Sequence, residues 1–552
     1  MIVTKITSSL EKALLKSNIE DYPRLEKISA LKGERISFQL LHTSAHPTKN
    51  RIFATVSCCG ALAKYATLRD VAHVPVSTPI VDNIDDGYIT GEPILIPDVL
   101  RPLHYGSSVS VTRRKVNSLW VDIEIPKRIK AGKYELTLKL SGNDVEAEAE
   151  ERIVIEIINA TLPEEDIYLT QWFHADCLAS YYNVKVWSKR HWEIVENFMR
   201  VAAKNKINLL LTPVFTPPLD TLIGGERPTT QLVGVTKTDS GYEFDFSLLD
   251  KWVKLAKKCG IKYFEIAHLF TQWGAFHAPK VMATVGGEYK KIFGWETDSA
   301  SDEYIGFLRA FLSAFIPHMK ELGEDKNCFY HISDEPHIDH LENYKLVKSK
   351  IADLLEGYTI MDALSDYAFY KMGILDTPIP ATNHIAPFIE NNVQNLWTYY
   401  CCGQDYKVSN RFLAMSSTKN RSIGLQLYKF NIVGFLQWGF NFYYNRYSVD
   451  LINPYLQQDG DEWVPAGDAF SVYPDMDGHA LESIRLVIFT EALQDMKAMK
   501  LCEKYYSKEE IIRVIEDTLG TELTFDLCAK RADEILTIRE TINKMIKRAV
   551  AR

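Results

Sequence analysis

The sequence predicts a multidomain chain: an N-terminal β-sandwich, then a (β/α)8 TIM-like barrel, then a short C-terminal helical segment. Three observations predict it. Residues 35–158 alternate apolar and polar positions between turn signals, with no convincing helix. From Ile167 onward, strand-like runs alternate with helical spacing, and eight such runs imply a parallel sheet closed on itself. At the fourth run, residues 328–337, a short apolar stretch delivers Asp334 and Glu335 together and is stopped by Pro336.

In the first 162 residues, strands are read at 35–42 and 119–126. Trp120, Asp122 and Glu124 alternate there with Val121, Ile123 and Ile125, a period of two with one wet face. A turn at 131–134 leads to alternating Tyr134, Leu136, Leu138 and Leu140. A further strand is expected from Val145 to Ile158, and a short helix over Leu10–Leu15. Leu162-Pro163-Glu164-Glu165-Asp166 reads as the linker.

The barrel is expected over 167–505, with strands at 167–174, 207–213, 263–268, 328–333, 359–363, 379–382, 396–400 and 434–438. Helices are expected at 191–205, at 247–259 with Ser247 as N-cap and Gly260 as terminator, at 304–322, at 341–355 and at 481–505. An open doubly wound sheet is disfavoured, because no glycine-rich phosphate loop follows any strand. Residues 506–552 read as a helical tail.

Composition narrows the function. The 552 residues are 46% hydrophobic and 11% aromatic with a net charge of −9, which offers no basic footprint for nucleic acid. No run is long and apolar enough for a membrane span, and Met1–Lys12 lacks a signal-peptide core, so a cytoplasmic location is expected. Nine cysteines without a C-x-x-C, two pairs of them adjacent (Cys58-Cys59 and Cys401-Cys402), are expected to be reduced.

Barrel enzymes carry their working residues at the C-terminal ends of strands. Those positions hold Trp172, His174 and Asp176; His268 and Trp273; Asp334 and Glu335; Asp362 and Asp366; Asn383 and His384; Trp397 and Tyr399; and Trp438, Asn441 and Tyr444. Aromatics, amides and carboxylates suit a neutral polyhydroxylated ligand. Any single tryptophan or histidine among them is as readily core. The adjacent acids are harder to dismiss: both can face the mouth only where the strand is ending, and Pro336 biases Glu335 toward an extended backbone. Crowded together, they would separate their pKa values as acid–base work requires. His331, Asp334, Glu335, His337, Asp339 and His340 lack a metal-ligand spacing, so no metal is expected. No G-x-S-x-G marks a nucleophilic serine, and Cys177 alone carries no thiol mechanism.

Trp172 with His174, the 332–336 segment, Trp397-Thr398-Tyr399, Gly434-Phe435-Leu436-Gln437-Trp438, Val472-Tyr473-Pro474 and Ser483-Ile484-Arg485 together resemble glycoside hydrolase family 123, which overlaps the domain of unknown function 4091. The resemblance runs from about residue 35 to 500. It implies a β-sandwich before a β/α-barrel and β-N-acetylgalactosaminidase activity by substrate-assisted retention. The substrate's acetamido oxygen would attack the anomeric carbon, Asp334 would orient it, and Glu335 would protonate the leaving oxygen and later activate water. Trp172, Trp397, Tyr399 and Trp438 would wall the pocket, with His174, His268, Asn383 and Asn441 as hydroxyl partners. The chain departs from the family in a long acidic loop, 450–468, and in Asp475 where glycine is commoner. The expectation is therefore a glycosidase for oligosaccharides or glycoconjugates, with no cofactor, no nucleic acid and no membrane. The alternatives are a barrel glycosidase for non-acetamido sugars pairing Glu335 with Asp362, and a non-catalytic carbohydrate binder.

Overall fold

A computed structural model of the chain describes residues 1–103, 108–142, 148–164 and 167–551. The expected start of a strand at Val145 and the linker acids Glu165 and Asp166 lie outside these.

The N-terminal part holds two five-stranded sheets. One runs Ile2–Ser8, Arg35–Ser44, Asn117–Glu124, Ala66–Val76, Ile94–Pro102. The other runs Lys27–Lys32, Glu148–Thr161, Gly132–Gly142, Arg51–Cys59, Ser108–Thr112, and its first pair is parallel. The alternation read from sequence faces Phe38, Leu40, Val121, Ile123, Leu136, Leu138, Ile153 and Ile155 into one core. Residues 10–15 form no helix; their backbone bonds elsewhere, as in Leu14 N–H to the Tyr22 hydroxyl at 2.9 Å.

The eight expected strands are present but short: Tyr168–Gln171, Leu209–Thr212, Tyr263–Ile266, Cys328–Tyr330, Thr359–Ala363, Thr377–Ile379, Trp397–Tyr399 and Gly434–Gln437. Where the sequence predicts one closed barrel, they fall into two parallel sheets. The first, eighth and seventh form one, and the second to sixth form the other. Strands of three to five residues leave few ladder bonds for a seam. The two sheets still meet at both sides: Asn208 N–H donates to Leu169 O at 3.1 Å, and Tyr399 N–H donates to Pro380 O at 3.1 Å beside an Ala381–Tyr399 bridge.

Several boundaries differ from expectation for local reasons. The helix Ser247–Cys259 has Phe246, not the expected Ser247, at its N-cap; Asp245 before it accepts from both the N–H and the hydroxyl of Ser247, and the helix ends at left-handed Gly260. Helix Leu341–Ser349 stops early and only a 3-10 turn follows it. Leu481 belongs to a hairpin, Val472–Pro474 with Ala480–Glu482, before helix Ile484–Cys502. Asp475 closes that hairpin by accepting from the N–H groups of Asp477 and His479, work a glycine could not do. A four-stranded mixed sheet within 234–293, two antiparallel hairpins joined by a parallel pair, was not anticipated. The tail helices are Lys508–Leu519 and Ala532–Val550, and the second docks on the sandwich through Asn543 Nδ2 to Ser29 Oγ, 2.8 Å. No helix among the described residues is long and apolar enough to cross a membrane. All nine cysteines are free.

Candidate active site

At the C-terminal ends of the parallel strands lies a cavity of about 220 Å³. It is lined by Trp172, Asp220, Trp273, Asp334, Glu335, Ala363, Tyr399, Cys401, Cys402, Leu436, Trp438 and Trp463. Its acids arrive by a device the sequence did not disclose. The fourth strand ends at Tyr330, and the next four residues are stitched to the loop after the third strand. Leu269 N–H donates to His331 O, Phe270 N–H to Ile332 O, and Trp273 N–H to Asp334 O, at 2.9–3.1 Å. Ser333 Oγ donates to Thr271 O at 2.8 Å. Glu335 then takes φ +43, the left-handed region, in place of the extended backbone expected before proline. That turn breaks the strand's alternation, so neighbours in sequence face one cavity.

Tyr399 donates its hydroxyl to Glu335 Oε1 at 2.6 Å. Asp334 has no side-chain hydrogen-bond partner among the described residues. Burial raises its pKa well above the usual value, and the nearby Glu335 and Asp220 add to this against the pull of His331.

Beneath the acids lies a buried polar floor. His331 is hydrogen-bonded by Nε2 to Glu265 at 2.7 Å and by Nδ1 to Asp362 at 3.1 Å. Burial opposes charging the ring, but the two carboxylates outweigh it and raise the pKa to about 10, so His331 is an imidazolium. Tyr344 donates to the other oxygen of Asp362 at 2.6 Å. His268 stacks on His331 with ring centres 4.3 Å apart. His268, His331 and Asp362 bring ligand atoms within 4.8 Å of one another. Both nitrogens of His331 are already committed, so a metal there would have to displace a carboxylate from it.

The aromatic walls are also fixed from behind by carboxylates. Glu265 accepts from Trp172 Nε1 at 2.6 Å, and Asp468 from Trp438 Nε1 at 2.8 Å. Burial pushes Asp468 up to about 6.

Of the residues named from sequence, Trp172, Trp273, Asp334, Glu335, Tyr399 and Trp438 come together at the cavity, whereas His174, His268, Asn383, Trp397 and Asn441 do not line it. His174 and Asn441 join the ends of the first and eighth strands. Asn441 Oδ1 accepts from His174 N–H, and the imidazole, neutral with a pKa lowered to about 3 by burial, bridges Arg227 and Trp438 O. His268 lies in the floor. Asn383 is exposed on a separate groove. Trp397 is two residues before Tyr399 on the same face of the strand, hence about 7 Å deeper, and stacks on Tyr168. Asp362, floor-bound, is likewise absent from the cavity wall. Sequence reasoning missed Asp220, which obeys the same strand-end rule after the second strand. It also missed Trp463 and Asp468, which come from the long acidic loop 450–468.

A family model described as the glycoside hydrolase 123 catalytic domain matches residues 172–502. Among solved structures, a family 123 glycoside hydrolase from Clostridium perfringens, studied for glycolipid glycan hydrolysis, aligns over 100% of both chains with a TM-score of 0.75 at 17% identity. A β-glucuronidase from Parabacteroides merdae covers 90% of this chain and 52% of its own at 10% identity, with a TM-score of 0.32 that carries no argument. No curated protein matches.

Proposed function

The chain belongs to glycoside hydrolase family 123, and from that premise we propose that it removes a terminal β-linked N-acetylhexosamine, N-acetylgalactosamine first among them, by substrate-assisted retention. The observation that carries this reading is the pairing of Asp334 and Glu335 in one cavity of about 220 Å³ walled by four tryptophans. That volume suits one sugar residue, which favours attack on chain ends. Asp334 would hold the acetamido N–H and stabilise the oxazolinium ion. Glu335, steadied by Tyr399, would protonate the leaving oxygen and then activate water. Trp172, Trp273, Trp438 and Trp463 would give the sugar apolar faces to stack on.

On this reading the two parallel sheets act as one (β/α)8-like ring over 167–505, presenting its loops to the substrate, with 1–162 as a supporting sandwich and 506–552 as a brace. His174, His268, Asn441 and Trp397 would support the wall from behind, and Asn383 would reach only an extended aglycone. The glycolipid named for the Clostridium perfringens relative makes a glycoconjugate a reasonable substrate for this chain too. No organic cofactor or metal is required by the chemistry.

A protein nucleophile in a two-carboxylate scheme is the competing reading. Asp362 suits it poorly, being fully buried and bonded to His331 and Tyr344. The test assays aryl β-GalNAc, β-GlcNAc and β-galactoside with wild type, Glu335→Gln and Asp334→Asn. Turnover of the acetamido sugars alone, lost by at least a hundredfold in both variants, is expected. Equal turnover of the galactoside, or full activity of Glu335→Gln, would sink the reading.

A further inference from the structure

We propose that Asp220 is a sugar-recognition residue whose carboxyl hydrogen-bonds one hydroxyl of the terminal sugar and so helps decide which hexosamine is accepted. The proposal rests on the glycosidase reading of the cavity, and it concerns a residue outside the Asp334–Glu335 pair.

Asp220 lies in the loop after the second parallel strand and lines the cavity with both acids. Its carboxyl has no hydrogen-bond partner among the described residues. The guanidinium that acts on it electrostatically, Arg227, is spent on Asp176, bound bidentately at 2.7 and 2.8 Å, and on His174. A half-buried acid left unpaired is costly unless a ligand completes it.

The backbone that presents it is held with unusual care. Asp220 has φ +49, a left-handed conformation that costs a non-glycine residue roughly 1 kcal/mol. Its N–H donates to Gln272 Oε1 at 2.8 Å, and its carbonyl accepts from Ser448 Oγ at 2.8 Å. The same Gln272 donates through Nε2 to Thr221 O at 3.2 Å. Bonds from two other loops thus fix the direction of one side chain before any ligand arrives. Trp273 and Glu335, also in the wall, share this left-handed backbone, with φ +57 and +43.

The chemistry of the group fits recognition better than attack. Burial pushes its pKa up to about 7, with Arg227 opposing and Glu335 and Asp468 adding. Near neutrality it can therefore donate to or accept from a hydroxyl, whereas a nucleophile must stay ionised. A site built to bond a hydroxyl discriminates strongly against an analogue that lacks it.

The test is a cycle between residue and substrate. Values of kcat/KM are measured for wild type, Asp220→Ala and Asp220→Asn on 4-nitrophenyl β-N-acetylgalactosaminide and its 3-, 4- and 6-deoxy analogues, with Glu335→Gln alongside. Asp220→Ala should lose about tenfold or more on the parent. That loss should vanish on one deoxy analogue and persist on the other two. Asp220→Asn, which tolerates the left-handed backbone and keeps hydrogen-bonding atoms, should recover part of it. Equal losses on all four substrates would overturn the proposal, as would a collapse of kcat rescued by azide, which marks a nucleophile. If Glu335→Gln stays active while the coupling is seen, the acid–base assignment fails and Asp220 stands. If Glu335→Gln is dead and no coupling is seen, Asp220 alone fails. Should wild type turn over none of these glycosides, the same cycle is read by calorimetric binding of the parent and deoxy sugars, and absence of binding overturns both.

Discussion

Adjacent carboxyls are made useful here by one backbone angle. With φ at +43, Glu335 leaves the strand's alternation and joins Asp334 at the cavity, where Tyr399 receives it. Asp334 pays for that position through burial and through the nearby Glu335 and Asp220, which together raise its pKa. If Asp334 must be ionised to hold the acetamido N–H, protonating it removes activity. The acidic limb of kcat/KM should then lie above the ordinary aspartate value of about 3.9. Asp220→Asn removes a neighbouring negative charge and should move that limb to lower pH, whereas an unmoved limb in a folded, active variant would contradict the coupling. The pair itself was legible in sequence from an apolar strand, two acids and a proline. Its geometry was not, because the rule that a residue before proline is extended lost to the hydrogen bonds anchoring 331–334 on the neighbouring loop. Asp220 was equally invisible, since Thr216-Pro217-Pro218-Leu219 obscures where the second strand's influence ends.

At the scale of elements, the segments that resemble the family divide between site and scaffold. Gly434 opens the eighth strand, and a Cβ there would lie 2.0 Å from the Trp397 ring. The glycine of one motif is therefore required by the tryptophan of another. Gly434→Ala should cost about 1–3 kcal/mol, read as a lowered denaturation midpoint, and unchanged stability would show that the ring moves aside freely. Val472-Tyr473-Pro474 and Ser483-Ile484-Arg485 reach the sandwich: Tyr473 donates to Asp98 at 2.7 Å, Ser483 caps helix Ile484–Cys502, and Arg485 pairs with Asp98 at 3.0 Å. Element type was readable wherever the period was clean, as in Ser247–Cys259. It failed where polar contacts from distant segments set the ends, as at Leu481, and where a loop insertion formed its own sheet, as within 234–293.

Across the whole molecule, buried charge ties the sandwich to the parallel-sheet region. Arg35 and Arg69 from the sandwich grip Asp122 and, across the seam, Glu482, which also receives Asn205 Nδ2 at 2.7 Å. A second network joins Arg421, Glu491 and Asp495 to Arg539 of the tail and Glu34 of the sandwich. Breaking such pairs one partner at a time is strongly destabilising, so these networks hold the two cores in register and keep the hairpin and helix behind the cavity in place. Sequence periodicity foresaw a sheet-rich N-terminal part followed by strand–helix alternation; it could not foresee these partners, which lie up to about 500 residues apart. What the assembled molecule is held together to do is tested most directly by kcat/KM on 4-nitrophenyl β-N-acetylgalactosaminides whose acetyl group carries none, one, two or three fluorines. Each fluorine weakens the acetamido oxygen as a nucleophile, so substrate-assisted catalysis predicts a steep, monotonic fall across the series. A flat series would place the nucleophile in the protein and contradict the account.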